Sequence, residues 1–374
     1  MPNEAAGATA APPDPAAEIR MATLHATRGA NFWSTRPVTR LDLAVGAYED
    51  ISSADVPGFT DRLVQAMPGL IEHRCSIGER GGFIRRLRRG TYAPHIIEHV
   101  ALELQTMIGH DVGFGRTRGG DQLGEYTLVF EHVHESVGLR AAALALDTVQ
   151  RAFAGTLDGV DAAISELESL SRLPDVPAAT QQVLCGITGG GDRAGARAEI
   201  RRRGCNVDQD DLLVDVSPSF LLHAGLPYHR SSLGIVLDAD LSDVPDRYRE
   251  RERAERLVST LADGVVRGGV LIVPAKAWEI QDYARDARCR VAVFSTRDDV
   301  SRRDKKVARA VAWVDGGRIV VDGEEGPVDV GPLRDDAASP AAQVAAALAV
   351  FTLEELEPQR VTRAASDRPA SDDA

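Results

Sequence analysis

The stretch VLCGITGGG, residues 183–191, is a nearly continuous apolar run that ends in three glycines. Such a run is typical of a strand buried on both faces, because crossover helices cover both sides of a parallel sheet. The next stretch, RAGARAEIRRRG at 193–204, has the pattern of a helix. Further apolar runs alternate with helical stretches in the same way, and they are LGIVLDAD (233–240), GGVLIVPA (268–275) and CRVAVFS (289–295). Residues 183–355 are therefore predicted to form an α/β domain with a mainly parallel sheet.

The first half of the chain contains both strand and helix patterns, but without the regular alternation of the second half. The fold class of the whole chain is predicted to be α/β. LDLAVGAYED (41–50) and YTLVFEHVHE (126–135) alternate as strands, whereas SVGLRAAALALDTVQRAF (136–153) has a helical period. We expect an α+β domain at residues 18–155, followed by a helix and linker at 156–182. Two flanking segments rich in small and polar residues are predicted to be a disordered leader and a disordered tail, 1–17 and 356–374.

Composition limits the function classes. The 374 residues suffice for about two domains, and the net charge of −13 argues against a nucleic-acid partner. No apolar run approaches the roughly 18 residues of a membrane span, and the first twenty residues lack a secretory signal. The four cysteines include no CxxC pair, so neither a disulfide framework nor a zinc ribbon is expected. These features predict a cytoplasmic protein that binds no membrane.

The stretch TYAPHIIEHVALELQTMIGHD, residues 91–111, is the most informative about chemistry. A helical period places its aliphatic side chains on one face and its histidines and glutamates on the other. His95 and His99 are one turn apart, so their imidazoles can meet on one metal ion. With Glu98 they form the HxxEH pattern of inverted zinc peptidases, in which the glutamate takes a proton from the attacking water. A solvated polar face is the competing interpretation.

A catalytic zinc site also needs a third protein ligand and an open position. Glu103 lies one turn beyond His99, which is a long reach, so a carboxylate from another element is geometrically easier. Glu72 ranks first, because it belongs to the polar cluster of residues 72–76, and Glu131 is a further candidate.

Basic residues precede the histidine helix, several of them in the segment 80–89. Arginine forks suit carboxylates, so an acidic polymer is one ligand class for this segment, and a solvated helix face is the alternative. The predicted substrate-binding residues are His73, Arg74, Arg85, Arg86 and Arg116.

The first half resembles the N-terminal domain of cyanophycin synthetases. The resemblance extends over about 110 residues in the right order, through RGANFWS (28–34), PGLIEHRCSIGERGGFIRRLRRGTY (68–92), HIIEHVALELQ (95–105), DVGFGRTR (111–118) and YTLVFE (126–131). In that family an ATP-grasp domain and a Mur-ligase-like domain follow, and the two ATP sites add aspartate and arginine to a multi-arginyl polyaspartate. In some members the N-terminal domain binds this polymer and hydrolyses it at a metal site. The resemblance implies that His95 and His99 are zinc ligands and Glu98 the base.

The second half resembles a degenerate Mur-ligase-like domain, through FLLHAGLPYHRSSLGIVLDAD (220–240) and GGVLIVPAKAWEIQDYARDARCRVAVFS (268–295). Where the family has ITGTNGKTT, this chain has ITGGGDRAG at 187–195. Gly189 and Gly191 remain, but Arg193 replaces the phosphate-binding lysine, and alanine replaces the hydroxyl expected to hold Mg²⁺. No segment corresponds to the ATP-grasp domain. We therefore expect neither ATP binding nor ligase activity.

Three hypotheses follow, and the third, a residual ligase, is the weakest. The first is a zinc-dependent hydrolase of the HxxEH type that cleaves cyanophycin-type polymer. The second is a non-catalytic accessory protein that binds the polymer or associates with a full-length synthetase. A homo-oligomer is compatible with either of the first two.

Overall fold

A computed structural model describes residues 12–120, 122–175, 182–204, 212–335 and 338–366, with side chains described as far as residue 355. The chain divides into two compact units. The first contains residues up to Ala26 together with Trp33–Pro177, and the second contains Thr27–Phe32 together with the chain from Ala178 onward. The main boundary lies inside the linker predicted at 156–182, whereas the sequence did not predict that Thr27–Phe32 belongs to the second unit.

The first unit is built on a four-stranded antiparallel sheet of order β1-β2-β4-β3. Its strands are β1 (Arg20–Ala26), β2 (Val38–Ala44), β3 (Gly115–Gly119) and β4 (Glu125–Glu131). Its helices are α1 (Pro15–Glu18), α2 (Phe59–Ala66), α3 (Gly82–Arg89), α4 (Ala93–Met107), α5 (Glu135–Ala154) and α6 (Asp161–Ser171). This arrangement confirms the predicted α+β domain.

The core of the first unit lies between this sheet and its longest helices. Leu41 of β2 pairs with Leu128 of β4, and both are fully buried in the same cluster as Ile96 and Val100 of α4. Helix α4 contacts both α5 and β3. The aliphatic face of α4 is therefore committed to the core, and its histidine face is held beside β3.

The predicted disordered leader and tail both overlap ordered structure. Asp14 caps α1 through its carboxylate, which accepts a hydrogen bond from the backbone N–H of Ala16, and Tyr48 donates to the carbonyl of Pro13. The prediction of disorder is therefore wrong for residues 12–17, because a cap and a proline at the first helical turn favour a helix there. Helix α12 (Pro340–Ser366) likewise continues beyond the predicted boundary at 356. Residues 1–11 and 367–374 lie outside the described residues.

The second unit contains an eight-stranded sheet of order β12-β11-β10-β9-β8-β7-β5-β6. Its strands are β5 (Gln182–Thr188), β6 (Leu213–Asp215), β7 (Arg230–Val236), β8 (Val265–Pro274), β9 (Arg290–Phe294), β10 (Ala308–Asp315), β11 (Arg318–Gly323) and β12 (Gly326–Pro332). Strands β5 to β10 pair in parallel, and β11 and β12 extend the sheet in antiparallel fashion. The predicted mainly parallel sheet is confirmed.

Helices cover both faces of the parallel strands. They are α7 (Arg193–Arg202), α8 (Pro218–Ala224), α9 (Arg251–Gly264), α10 (Trp278–Asp286), α11 (Arg302–Val307) and α12. Ile235 and Ile272 belong to the buried cluster that contains residues of α7 and α12. Their chain neighbours Gly234 and Leu271 lie on the opposite face, against Leu261 of α9. Within the described residues, no helix is both long enough and apolar enough to cross a bilayer.

Candidate metal centre

The polar face of α4 is not a solvated surface. Pro94 occupies the first turn of this helix, which ends at Met107. Glu98, His99 and Glu103 expose only 7%, 7% and 3% of their surface. The solvated-face interpretation of this pattern is therefore wrong, and the buried polar atoms need partners.

A cysteine from another segment lies against this face and forms, with the two histidines, a group of side chains that could hold a metal ion. Cys75 Sγ lies 3.3 Å from His95 Nε2, and the candidate ligand atoms of Cys75, His95 and His99 all lie within 4.8 Å of one another. The backbone of Cys75 has a φ of 52°, in the left-handed region that non-glycine residues rarely adopt. We call these three residues the metal cluster.

The donor set of the metal cluster fits zinc. Thiolate sulfur and imidazole nitrogen are the ligands that Zn²⁺ prefers, and three protein ligands leave a fourth tetrahedral position open. Burial lowers the pKa of His95 to about 4, with a smaller contribution from the Arg86 charge. Burial also lowers the pKa of His99, aided by the neighbouring histidines. Both imidazoles are therefore neutral near pH 7, as metal ligation requires.

The three glutamates considered as third ligands are engaged elsewhere, Glu131 by accepting hydrogen bonds from two backbone N–H groups. Glu72 is exposed and accepts hydrogen bonds from the guanidinium of Arg80, with Nε 2.8 Å from Oε2. Glu103 Oε2 lies 3.0 Å from His73 Nε2. Of the side chains described, it is the Cys75 thiol rather than any of these carboxylates that joins the histidines.

Glu98 lines the same cavity as the metal cluster but is not part of that cluster. Its Oε2 accepts a hydrogen bond from the hydroxyl of Thr117 on β3. Burial raises the pKa of Glu98 to about 7, although the Thr117 hydrogen bond and the Arg86 charge act in the opposite direction. A Cβ at Gly115 would lie 2.7 Å from Glu98 Oε1, so a glycine on β3 gives this carboxylate its space.

The raised pKa of Glu98 predicts a pH-dependent stability. The folded state binds the Glu98 proton more tightly than the unfolded chain, whose pKa is 4.5, so this stabilisation is complete below pH 4.5 and is lost as the pH rises through 7. Without metal, the wild type should lose up to about 3 kcal/mol of unfolding free energy relative to Glu98→Gln between pH 4.5 and 8. Denaturant unfolding of both proteins in chelator measures this difference; a pH-independent difference would contradict it.

The metal cluster and Glu98 line a cavity of about 890 Å³. Four of the five predicted substrate-binding residues line it, namely His73, Arg74, Arg86 and Arg116. Arg86 also donates to Ser76 Oγ at 2.7 Å. The fifth, Arg85, does not line the cavity and pairs with Glu79 instead, Nη2 to Oε2, at 2.7 Å.

Cys75 and Thr117 are the residues of this centre that the sequence did not single out. A weak signal existed for Cys75, since it belongs to the polar cluster of residues 72–76 and thiolate is a preferred zinc ligand. Nothing in the alternation of β3 marks Thr117 as a partner of Glu98.

Side chains from within the glycine-rich turn after β5 and from just after the end of β7 hydrogen-bond to the backbone of this turn. The N–H of Gly190 donates to Asp238 Oδ1 at 2.8 Å, and the guanidinium of Arg193 donates to the carbonyl of Gly189. Asp192 caps α7 by accepting from the N–H of Gly195 at 2.9 Å. Carboxylates therefore already accept hydrogen bonds from backbone N–H groups in this turn and in the first turn of α7.

This hydrogen-bonded turn predicts that ATP does not bind. We expect millimolar ATP with Mg²⁺ to leave the unfolding temperature unchanged, because a ligand raises it only by binding the folded state. Differential scanning calorimetry with and without the nucleotide measures the effect. A rise that grows with ATP concentration would contradict this expectation.

Comparison with known proteins finds matches to part of this chain. Residues 40–154 match the family model described as the cyanophycin synthase-like N-terminal domain. The cyanophycin synthetase of Synechocystis sp. is 44% identical over 159 residues, and that of Crocosphaera subtropica is 46% identical over 156 residues. Each match covers 40% of this chain and 17% of the relative, so the chain spans about a sixth of their length.

Solved Mur ligases are structurally similar to this chain at a low level. The MurF ligase of Thermotoga maritima in complex with ADP has a TM-score of 0.33 and 8% identity, covering 47% of this chain and 46% of that one. A murein peptide ligase of Psychrobacter arcticus has a TM-score of 0.32 and 11% identity, covering 46% of this chain and 44% of that one.

Proposed function

We propose that this protein is a zinc-dependent hydrolase that cleaves amide bonds of a cyanophycin-type polymer, a multi-arginyl polyaspartate. The observation that carries the proposal is the metal cluster of Cys75, His95 and His99 with Glu98 in the same cavity. The match of residues 40–154 to the cyanophycin synthase-like domain supports the choice of polymer.

The chemistry requires a positioned base and an activated water. Zinc, when bound, lowers the pKa of water and polarises a carbonyl. Glu98 takes a proton from the attacking water as the C–O bond forms, and it returns that proton to the departing nitrogen as the C–N bond breaks. Thr117 orients the Glu98 carboxylate for both transfers.

The lining of the cavity suits a substrate that carries carboxylates. Arg74, Arg86 and Arg116 line it, and guanidinium groups bind carboxylates through paired hydrogen bonds. A polyaspartate whose side chains carry arginine through amide bonds keeps the arginine carboxylates free, so it offers these arginines a repeating set of anions. The acidic net charge of −13 complements the guanidinium groups of the same polymer.

The wild-type protein tests the proposal. We expect purified protein to contain about one zinc per chain and to shorten multi-arginyl polyaspartate, with new amines detected by mass spectrometry. The protein would act in the cytoplasm, alone, as a homo-oligomer or beside a full-length synthetase. Polymer binding without shortening would favour the non-catalytic accessory role instead.

A further inference from the structure

A chain of hydrogen bonds runs from the metal cluster along the wall of the cavity. His73 Nδ1 lies 2.8 Å from His99 Nδ1, and on the other side of the same ring His73 Nε2 lies 3.0 Å from Glu103 Oε2. The sequence predicted Glu103 as a ligand and His73 as a substrate-binding residue. In the structure neither residue belongs to the metal cluster; His73 contacts His99, and Glu103 contacts His73.

The two contacts define one proton arrangement for the case in which Glu103 is ionised and both imidazoles are neutral. An ionised carboxylate only accepts, so Nε2 of His73 carries a proton toward Glu103. A neutral His73 then has its lone pair on Nδ1, and the facing Nδ1 of His99 must donate to it. A neutral His99 that is protonated at Nδ1 has its lone pair on Nε2, which is the ring nitrogen left for a metal.

Packing holds the participating groups in place. Phe83 stacks on the His99 ring with centroids 3.9 Å apart and an angle of 22° between the planes. Glu103 is almost fully buried, and a Cβ at Gly69 would overlap its Oε1, so a glycine gives this carboxylate its room. Packing therefore restricts the orientations that the His99 ring and the Glu103 carboxylate can adopt at the wall of the cavity.

We propose that Glu103 and His73 are positioning residues that fix the tautomer and ring orientation of His99, so that its Nε2 faces the metal. This proposal rests on the metal cluster of the proposed function but not on its catalytic activity. Partners that orient a ligating histidine in this way commonly contribute 10- to 100-fold to metal affinity.

Zinc affinity of the full chain, measured by chelator competition, tests the proposal with a matched pair of variants. Glu103→Gln keeps a carbonyl oxygen that accepts from His73, so we expect its affinity to stay within about threefold of the wild type. Glu103→Leu removes the acceptor, and its affinity should fall about 10- to 100-fold. Equal affinities for wild type and Glu103→Leu would overturn the proposal. A loss of zinc affinity in His73→Phe far larger than the loss in Glu103→Leu would also overturn it, because His73 would then be a ligand.

A second measurement needs neither metal nor variant. Long-range nitrogen–proton correlation spectra of histidine in the metal-free wild type report which ring nitrogen of His99 carries the proton. We expect the proton on Nδ1, and a proton on Nε2 would overturn the proposal. Because these readouts do not involve the polymer, a protein with the expected tautomer that cleaves no polymer would refute the proposed function alone.

Discussion

Glu98→Gln is expected to lower the rate of polymer cleavage by about 10²- to 10⁴-fold, the usual contribution of a general base. Glutamine has the same shape, and its carbonyl can accept the Thr117 hydrogen bond that the carboxylate accepts. It cannot take a proton from water, so the chemical step is lost while the cavity is preserved. Initial rates of polymer shortening under saturating zinc measure the change.

Zinc content and a matched variant make this result specific. Glu98→Gln should bind zinc as the wild type does, because Glu98 is not part of the metal cluster. Glu255→Gln makes the same change at a buried carboxylate of the second unit, where Glu255 pairs with Arg251, and it should cleave at the wild-type rate. Full activity in Glu98→Gln would refute the assignment of the base.

Cys75→Ser is expected to weaken zinc binding by more than about 100-fold. This loss is larger than the 10- to 100-fold loss expected when a residue that only orients a ligand is removed. A serine hydroxyl is a poor zinc ligand, since it is neutral and hard where a thiolate is anionic and soft. Only His95 and His99 of the metal cluster would remain, and cleavage should fall with metal occupancy. Chelator competition measures the affinity, and cobalt substitution reports thiolate ligation by its charge-transfer absorption.

Cys289→Ser is the matched control for the thiol. Cys289 is buried in the second unit and donates to the carbonyl of Ala262, with sulfur and oxygen 3.3 Å apart, a hydrogen bond that serine can also make. We expect this variant to bind zinc normally. If Cys75→Ser also kept wild-type affinity, the sulfur ligand would be excluded.

The fold could be predicted wherever the spacing of apolar residues indicates a helix or a strand. The apolar runs of residues 183–295 predicted the parallel strands, because strands covered on both faces need continuous apolar sequence. The short antiparallel extension by β11 and β12 and the assignment of Thr27–Phe32 to the second unit have no such signature. They depend on contacts between distant parts of the chain.

The candidate site could be predicted only where one helix determines it. The i, i+4 spacing of His95 and His99 follows from helical geometry, whereas the third donor arrives from an irregular turn in which Cys75 has a positive φ. Glu72, ranked first from its sequence neighbourhood, forms an ion pair with Arg80 only eight residues away. Sequence proximity to a histidine cluster does not determine which side chain faces it.

X-ray absorption at the zinc edge, on the purified protein, tests the central claim most directly. The claim predicts one zinc per chain with one sulfur ligand at about 2.3 Å and two nitrogen ligands at about 2.0–2.1 Å. Cys75→Ser should remove the sulfur shell. A zinc shell of nitrogen and oxygen alone, or protein that retains no zinc, would contradict a centre formed by Cys75, His95 and His99.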